Sequence, residues 1–150
     1  MGIQTKRIGF NNLEYDLTAL PLVPYIKLQG FASDGINWED VEVATMEKGA
    51  DGLAYINDKP VVYKGTFVLQ ANSPSRSVLD NLINLTTVKF GKKIVDYTLV
   101  LTVLNYTTGI KTVYAGGTIA TAPGGDNATT EGQQNKTYIF SFSDKTDLPL

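Results

Sequence analysis

From Tyr25 to Phe31 the chain reads YIKLQGF, with apolar and polar residues alternating at the two-residue period of a half-buried strand. The same alternation from Val41 through Val43, and again from Leu53 to Ile56 after an Ala-Asp-Gly turn at residues 50–52, predicts two more strands. PVVYKGTFVLQ follows. Pro60 stands at its start, where a missing N–H costs a ladder least, and Val61, Tyr63, Phe67 and Leu69 share one face. Gly65 interrupts this strand, which marks a bulge or a close backbone approach.

The period then changes. Ser73 suits an N-cap and Pro74 a first helical residue, because the N–H that proline lacks has no partner in the first turn. Val78, Leu79, Leu82, Ile83 and Leu85 form one apolar stripe, while Arg76, Asp80 and Asn84 point elsewhere, so a short helix over about residues 73–86 is predicted. Arg76 occupies the place where a capping box has Glu or Gln. A helix of about three turns is too short to stand alone in water and must lie on a sheet.

After Gly91-Lys92-Lys93 comes the longest strand-like run, Asp96 to Tyr106, apolar on both faces: Leu99, Leu101 and Val103 against Val100 and Leu104. Thr107-Thr108-Gly109 reads as a hairpin turn into IKTVYA, and near the end of the chain Tyr138, Phe140 and Phe142 share a face. Between these strands lies a long polar, Gly-rich connection, Thr121 to Lys136. Such loops are functional or become ordered on binding. The segment up to Leu22, closed by Pro21 and Pro24, reads as an N-terminal arm without a strand period. The fold class predicted is mostly β: a β-sandwich or partly closed β-barrel of about seven strands with one short helix, in a single domain over residues 1–150.

Composition narrows the function. With 43% hydrophobic and 19% charged residues the chain is globular, and its net charge of −2 with no dense Lys or Arg run is not the footprint of a nucleic-acid binder. There is neither Cys nor His. Disulfides, thiolate chemistry and a His general base are therefore excluded, and with them most enzyme classes and the Ser-His-Asp arrangement. The residues after Arg7 include Asn11, Asn12, Glu14 and Asp16 where a signal peptide has an apolar stretch, and no apolar run reaches the roughly 20 residues of a membrane-spanning helix. Lys6 stands where an acylation motif at Gly2 needs Ser or Thr. The expectation is a soluble protein made in a cytoplasm, with no cofactor and no membrane insertion.

Remaining constellations have plain readings. Asp34, Glu39 and Asp40 around Trp38, and Asp126 in its GGDN turn, lack metal-ligand spacing and read as turn and solvent-facing residues. The sequons at Asn84, Asn105, Asn127 and Asn135 fit an Asn/Thr-rich β protein without a leader. Lys89, Lys92 and Lys93 suit the solvated C-terminal end of the helix, whose dipole favours cations. Eight tyrosines are consistent with cross-strand pairing or with protein interfaces.

The order of features from Glu42 to Leu82 is distinctive: Val41, Glu42 and Val43; the Ala50-Asp51-Gly52 turn; Gly65, Phe67 and Leu69; then Asn72-Ser73-Pro74-Ser75 running into Val78, Leu79 and Leu82. This stretch, about a third of the chain, resembles the central signature of bacteriophage tail tube proteins, whose fold is similar to that of the type VI secretion tube protein. The resemblance implies a structural virion protein without catalysis. It implies a β-sandwich subunit of hexameric rings that stack into a hollow tube. Its partners would be tail sheath, baseplate and tail terminator proteins, and the genome would pass through the lumen without sequence-specific binding. It further implies assembly in the bacterial host cytoplasm and leans towards a contractile tail. A pI near 5.0 suits such a lumen, since an acidic wall repels phosphate.

Two segments are expected to make inter-subunit or inter-ring contacts: the hairpin tip, Met46, Glu47, Lys48, Gly49, Ala50 and Asp51, and the late loop around Pro123, Gly124, Gly125, Asp126 and Asn127. The alternative is a soluble β-sandwich binding module for carbohydrate or a cell surface, which would need an exposed aromatic platform. Trp38, the single tryptophan, is flanked by acids.

Overall fold

One antiparallel sheet organises the chain. The computed structural model describes residues 13–20, 23–86, 97–125 and 128–150. Its elements, in order, are β1 (Leu13–Leu20), β2 (Val23–Lys27), β3 (Phe31–Trp38), β4 (Ala44–Lys48), β5 (Ala54–Asp58), β6 (Tyr63–Leu69), α1 (Pro74–Thr86), β7 (Thr98–Asn105), β8 (Ile110–Thr121), β9 (Ala128–Thr129), β10 (Gly132–Gln133), β11 (Lys136–Phe142) and β12 (Asp144–Pro149). The main sheet runs β2-β1-β7-β8-β11-β6-β3, with β12 joined to β8 beside this path, while β4-β5 and β9-β10 are separate two-stranded ribbons.

The sheet curls into a seven-strand half-barrel, and the aromatic residues show how. Tyr15 of β1, near one end of the strand order, has its ring 5.6 Å from that of Phe31 in β3, at the other end, and 6.2 Å from that of Phe67 in β6. Phe67 in turn meets Phe140 edge-on at 4.7 Å. The buried faces of β1 (Tyr15, Leu17, Ala19), β6 (Phe67, Leu69), β7 (Leu99, Leu101) and β11 (Tyr138, Phe140, Phe142) thus form one cluster, joined by Leu79 and Leu82 of the helix. Each such aromatic pair adds about 0.5–1.5 kcal/mol to the burial of its area.

β8 is where the curl is made. Its first part pairs with β7 from Ile110 to Gly117 and with β12 from Ile110 to Ala115, whereas its last residues, from Thr118, pair with β11. Gly116 has φ +63, and a Cβ on Gly117 would run into the Phe142 ring. The strand therefore changes neighbours at a pair of glycines, one for its backbone angle and one for its missing side chain.

The helix is held by its first turn. The Ser75 hydroxyl accepts a hydrogen bond from the Gln29 N–H at 2.8 Å and donates to the Lys27 carbonyl at 3.3 Å, while the Ser73 hydroxyl donates to the Gln29 carbonyl. Gly30 lets the two segments meet. It has φ +73, its carbonyl accepts from the Gln70 N–H at 2.8 Å, and an added Cβ would lie 2.7 Å from that of Ser73. Farther along, Asp80 accepts from the Tyr138 hydroxyl at 2.7 Å and pairs with Arg76 at 3.3 Å.

Several expectations are corrected. The N-terminal segment was expected to lack a strand, yet residues 13–20 form β1, an interior strand: Leu13, Tyr15, Leu17 and Ala19 do alternate, with Glu14, Asp16 and Thr18 between them. YIKLQGF is not one strand, because the φ of Gly30 ends the extended run between β2 and β3. Val41 to Val43 precede β4, and Pro60 to Val62 precede β6. Asp34, read as a turn or solvent-facing residue, lies within β3, whose register against β6 breaks between Phe31 and Ile36, while Glu39 and Asp40 follow the strand and are exposed as expected. Ser73 begins the helix as expected, but its hydroxyl serves a tertiary bond to Gln29. β12, exposed throughout and mostly polar, was not anticipated. Gly65 is a close approach: a Cβ there would lie 2.8 Å from the Trp38 ring. The Lys89, Lys92 and Lys93 cluster, and Asp96 at the head of the run into β7, lie outside the described residues.

Replacing Gly117 by Ala is expected to force Phe142 out of its rotamer and to lower stability by about 1–3 kcal/mol. Urea unfolding would show this as a lower midpoint with an unchanged slope.

Candidate assembly surfaces

β4 and β5 form a ribbon outside the main sheet, in register from Ala44↔Asp58 to Lys48↔Ala54. Its turn is well specified. The Gly49 N–H donates to the Leu53 carbonyl at 2.8 Å, the Asp51 carboxylate accepts from the Leu53 N–H at 3.0 Å and from the Tyr55 hydroxyl at 3.3 Å, and Gly52 takes φ +82. At the root, Lys59 pairs with Glu42 at 3.2 Å. An isolated two-stranded ribbon is marginal in water, so these local bonds set its shape without giving it a core.

What the ribbon exposes is apolar. Met46 and Ile56 stand opposite each other and are 67% and 65% exposed, and Tyr55, beside Glu47, faces the other way. Val43, Leu53 and Val62 are exposed as well. Single exposed apolar residues need no explanation, but six on one projecting segment are a surface awaiting cover. Of the expected contact residues, Met46, Glu47, Lys48, Ala50 and Asp51 are exposed here, and Gly49 is half-buried under the Tyr55 ring.

The late loop is only partly irregular. β9 and β10 pair within it as a two-residue hairpin, Gly132↔Thr129 and Gln133↔Ala128, and everything from Ala128 to Asn135 is exposed. Its root lies on the helix. Pro123, Gly124 and Gly125 line a cleft of about 210 Å³ with Arg76, Asp80, Ile83 and Lys136. The buried Lys136 ammonium donates to the Gly125 carbonyl, so the loop is anchored at its base and free at its tip. Asp126 and Asn127 lie outside the described residues.

A second apolar surface escaped the sequence reading. Tyr106, Ile110, Leu148 and Leu150 are exposed at the end of the sheet where β7 turns into β8 and β12 finishes. Ile110 is in register with Asn105 on one side and Pro149 on the other, and the Leu150 N–H donates to the Gly109 carbonyl at 2.9 Å. The Tyr106 hydroxyl donates to Glu14 at 2.5 Å, which with Lys27 beside it holds that carboxyl below its usual range. The only sequence signal for this patch was the apolar residue at every other position of DLPL, too short to carry a period.

Trp38 is not a platform. Its ring stacks on Tyr114 at 4.2 Å with an interplanar angle of 11° and meets Phe67 edge-on at 5.8 Å. Lys145 sits over both Tyr63 and Tyr114 at about 6 Å, roofing the cluster. Burial, with the nearby Asp147 charge adding to it, pushes the Tyr114 phenol up to about 12. Among the described residues no group of three or more acidic side chains is placed to hold a metal ion, and no helix is long and apolar enough to cross a membrane.

A family model described as tail fiber protein gp32 matches residues 6–146. Solved structures share the fold over nearly whole chains. A chain in the structure of the anti-feeding prophage cap, a tube-terminating cap, superposes with a TM-score of 0.56 at 12% identity, over 100% of this chain and 95% of that one. One in the sheath/tube terminator of an extracellular contractile injection system gives 0.59 at 10% identity, over 96% and 98%. One in the sheath-tube complex of such a system gives 0.56 at 10% identity, over 91% and 88%. No curated protein sequence matches the chain.

The Tyr114 environment has a measurable consequence. Its phenol is protonated in the fold up to about 12 and in the unfolded chain only to its ordinary 10, so the stability it contributes is complete below pH 10 and is lost as pH rises from 10 towards 12. Absorbance titration of the folded protein should show a tyrosine ionising about two units above the exposed ones, and Tyr114→Phe should remove that step.

Proposed function

The chain belongs to the family of tail fiber protein gp32, and from that premise we propose that it is a ring-forming subunit of a phage tail conduit. Hexameric rings of this chain stack into, or terminate, the hollow tube through which the genome leaves the particle. The observation that carries this reading is the full-length likeness of the fold to chains of tube, terminator and cap assemblies. The exposed ribbon and loop support it, since a chain that folded to act alone would gain nothing from six exposed large apolar residues on one projection.

The partners follow from the same reading: neighbouring copies first, then sheath, baseplate and terminator proteins of a tail assembled in the bacterial cytoplasm and carried in the virion. The role is structural and needs no catalytic group. The β4-β5 tip, Met46 to Asp51, and the loop from Pro123 to Lys136 meet neighbours and become fully ordered there. DNA passes without being held, because a chain of net charge −2 does not neutralise phosphates. Ring contacts are heterologous and close by rotation, while stacking contacts are heterologous and open, so tube length is set from outside.

Two of the similar structures named above concern a terminator or cap, which supports a second form of the reading: a ring that ends a tube instead of repeating along it. The binding-module alternative has no comparable support, with Trp38 covered by Tyr114.

Negative-stain electron microscopy at rising protein concentration separates these. Open-ended tubes with a channel are expected of a tube subunit and single closed rings of a terminator; an elongated trimer without a channel, as a fibre would give, sinks both. Deleting residues 128–134, the exposed hairpin beyond the Gly125 anchor, is expected to abolish stacking or ring closure while changing the monomer's unfolding free energy by no more than about 0.5 kcal/mol.

A further inference from the structure

Among the described residues the exposed large apolar side chains fall into two groups and no others. One is the ribbon set, Val43, Met46, Leu53, Tyr55, Ile56 and Val62; the other is the end patch, Tyr106, Ile110, Leu148 and Leu150. We propose that these are the two halves of one heterologous contact: the β4-β5 ribbon of one copy seats on the Ile110/Leu148/Leu150 end of the next copy. The proposal rests on the assembly reading above and names the surfaces that carry it.

Three observations point to a second copy as the occupant. The first is charge. Residues 39–62 carry six carboxylates against two lysines, a net of −4 on a chain whose total is −2, so the rest of each copy carries +2. An acidic ribbon is therefore repelled by another ribbon, which disfavours the symmetric ribbon-to-ribbon dimer that two apolar faces would otherwise allow. The second is extent. A stable interface takes roughly 20–30 residues and about 800 Å² from each partner. The segment 39–62 supplies 24 residues, with both faces of its ribbon open. The third is chemical match. A two-sided apolar ribbon needs apolar surface to cover it, and among the described residues the end patch is the one other place that offers it.

The contact has a polarity. The ribbon leaves the half-barrel between β3 and β6, where Lys145 at the start of β12 reaches Tyr63, and the end patch lies farther along β12 and β8, so the contact joins unlike surfaces of two copies. Each copy gives its ribbon to one neighbour and receives another's, which is the arrangement a closed ring or an open stack requires.

The absence of any native cysteine makes the test clean. Lys48→Cys lies on the Met46–Ile56 face of the ribbon, and Thr146→Cys lies on the Leu148 face of β12; both positions are exposed and outside the core. The two variants are mixed, allowed to assemble, and treated with a short bis-maleimide. A crosslinked dimer in the mixture, absent from either variant alone, is the expected result. In parallel, Ile56→Glu and Leu148→Glu are each expected to raise the protein concentration needed for assembly about tenfold, near 1.4 kcal/mol of contact. Because both changes break one contact, the double variant should raise it little further than either alone. Rings or tubes that form without the mixed crosslink, or additive effects of the two substitutions, would overturn the pairing and leave the assembly reading standing. A wild-type chain that stays monomeric at every concentration would overturn both.

Discussion

β8 is one strand with two sets of neighbours, and the curl of the sheet depends on how it passes from one set to the other at Gly116 and Gly117. Were the strand straight, β11 would continue alongside it and the sheet would stay open. Instead the register shifts, Phe142 packs where a Cβ would have been, and β11 gives way to β12 on the same edge across Ser143. The bend brings β6 and β3 around to face β1, so Tyr15 reaches Phe31 and Phe67. A sheet of this size twists in any case, but closure to half a barrel needs a place where the backbone turns without a side chain in the way.

With the curl set, the helix has a concave surface to fill. Leu79 and Leu82 enter the same cluster as Leu69 and Tyr138, and the polar side of α1 is committed through Asp80 to the Tyr138 hydroxyl and Arg76. The hydrogen bonds of Ser73 and Ser75 to the 27–30 segment fix the helix at its start, which is also where β2 hands over to β3. A Ser-Pro-Ser sequence thus does two jobs: proline starts the helix, and the serines on either side of it join that start to another loop. The core is complete without residues 39–62 or the exposed hairpin at 128–134, and those segments are left free for contacts between copies.

Much of this was legible and some was not, for physical reasons. The helix was readable because its apolar stripe is dense and Pro74 marks its first turn; β7 and β11 were readable because buried strands have strong apolar runs. β1 was missed although Leu13, Tyr15, Leu17 and Ala19 alternate, since Glu14, Asp16 and Thr18, followed by the turn signals of Pro21 and Pro24, look like a polar arm, and only its pairing with both β2 and β7 makes it interior. β12 was missed because it buries nothing: it is held by the ladder to β8 and by Lys145 over Tyr63 and Tyr114, which is information about other strands. Trp38 was not expected to be an exposed platform, and its ring packs on Tyr114 while Glu39 and Asp40 are exposed just past β3. The ribbon tip was found from its turn, but the end patch was invisible, because Leu148 and Leu150 are far in sequence from Tyr106 and Ile110 and reach them only through the β8 ladder.

A chain that keeps large apolar residues outside its core must still be soluble before it assembles. The ribbon manages this with charge, interleaving Glu47, Lys48, Asp51 and Asp58 with its apolar positions and carrying further acids at its root, so that two ribbons repel each other in solution. β12 does it with composition, placing Asp144, Lys145 and Asp147 along an exposed strand and Pro149 at its end. Neither device prevents an encounter between unlike surfaces. The same residues that block aggregation of identical faces therefore leave open the head-to-tail contact, and that contact repeats only if each copy presents one of each. Solubility of the monomer and directionality of the assembly are in this sense one property, set by how the charges are distributed between the projecting ribbon and the body that bears it.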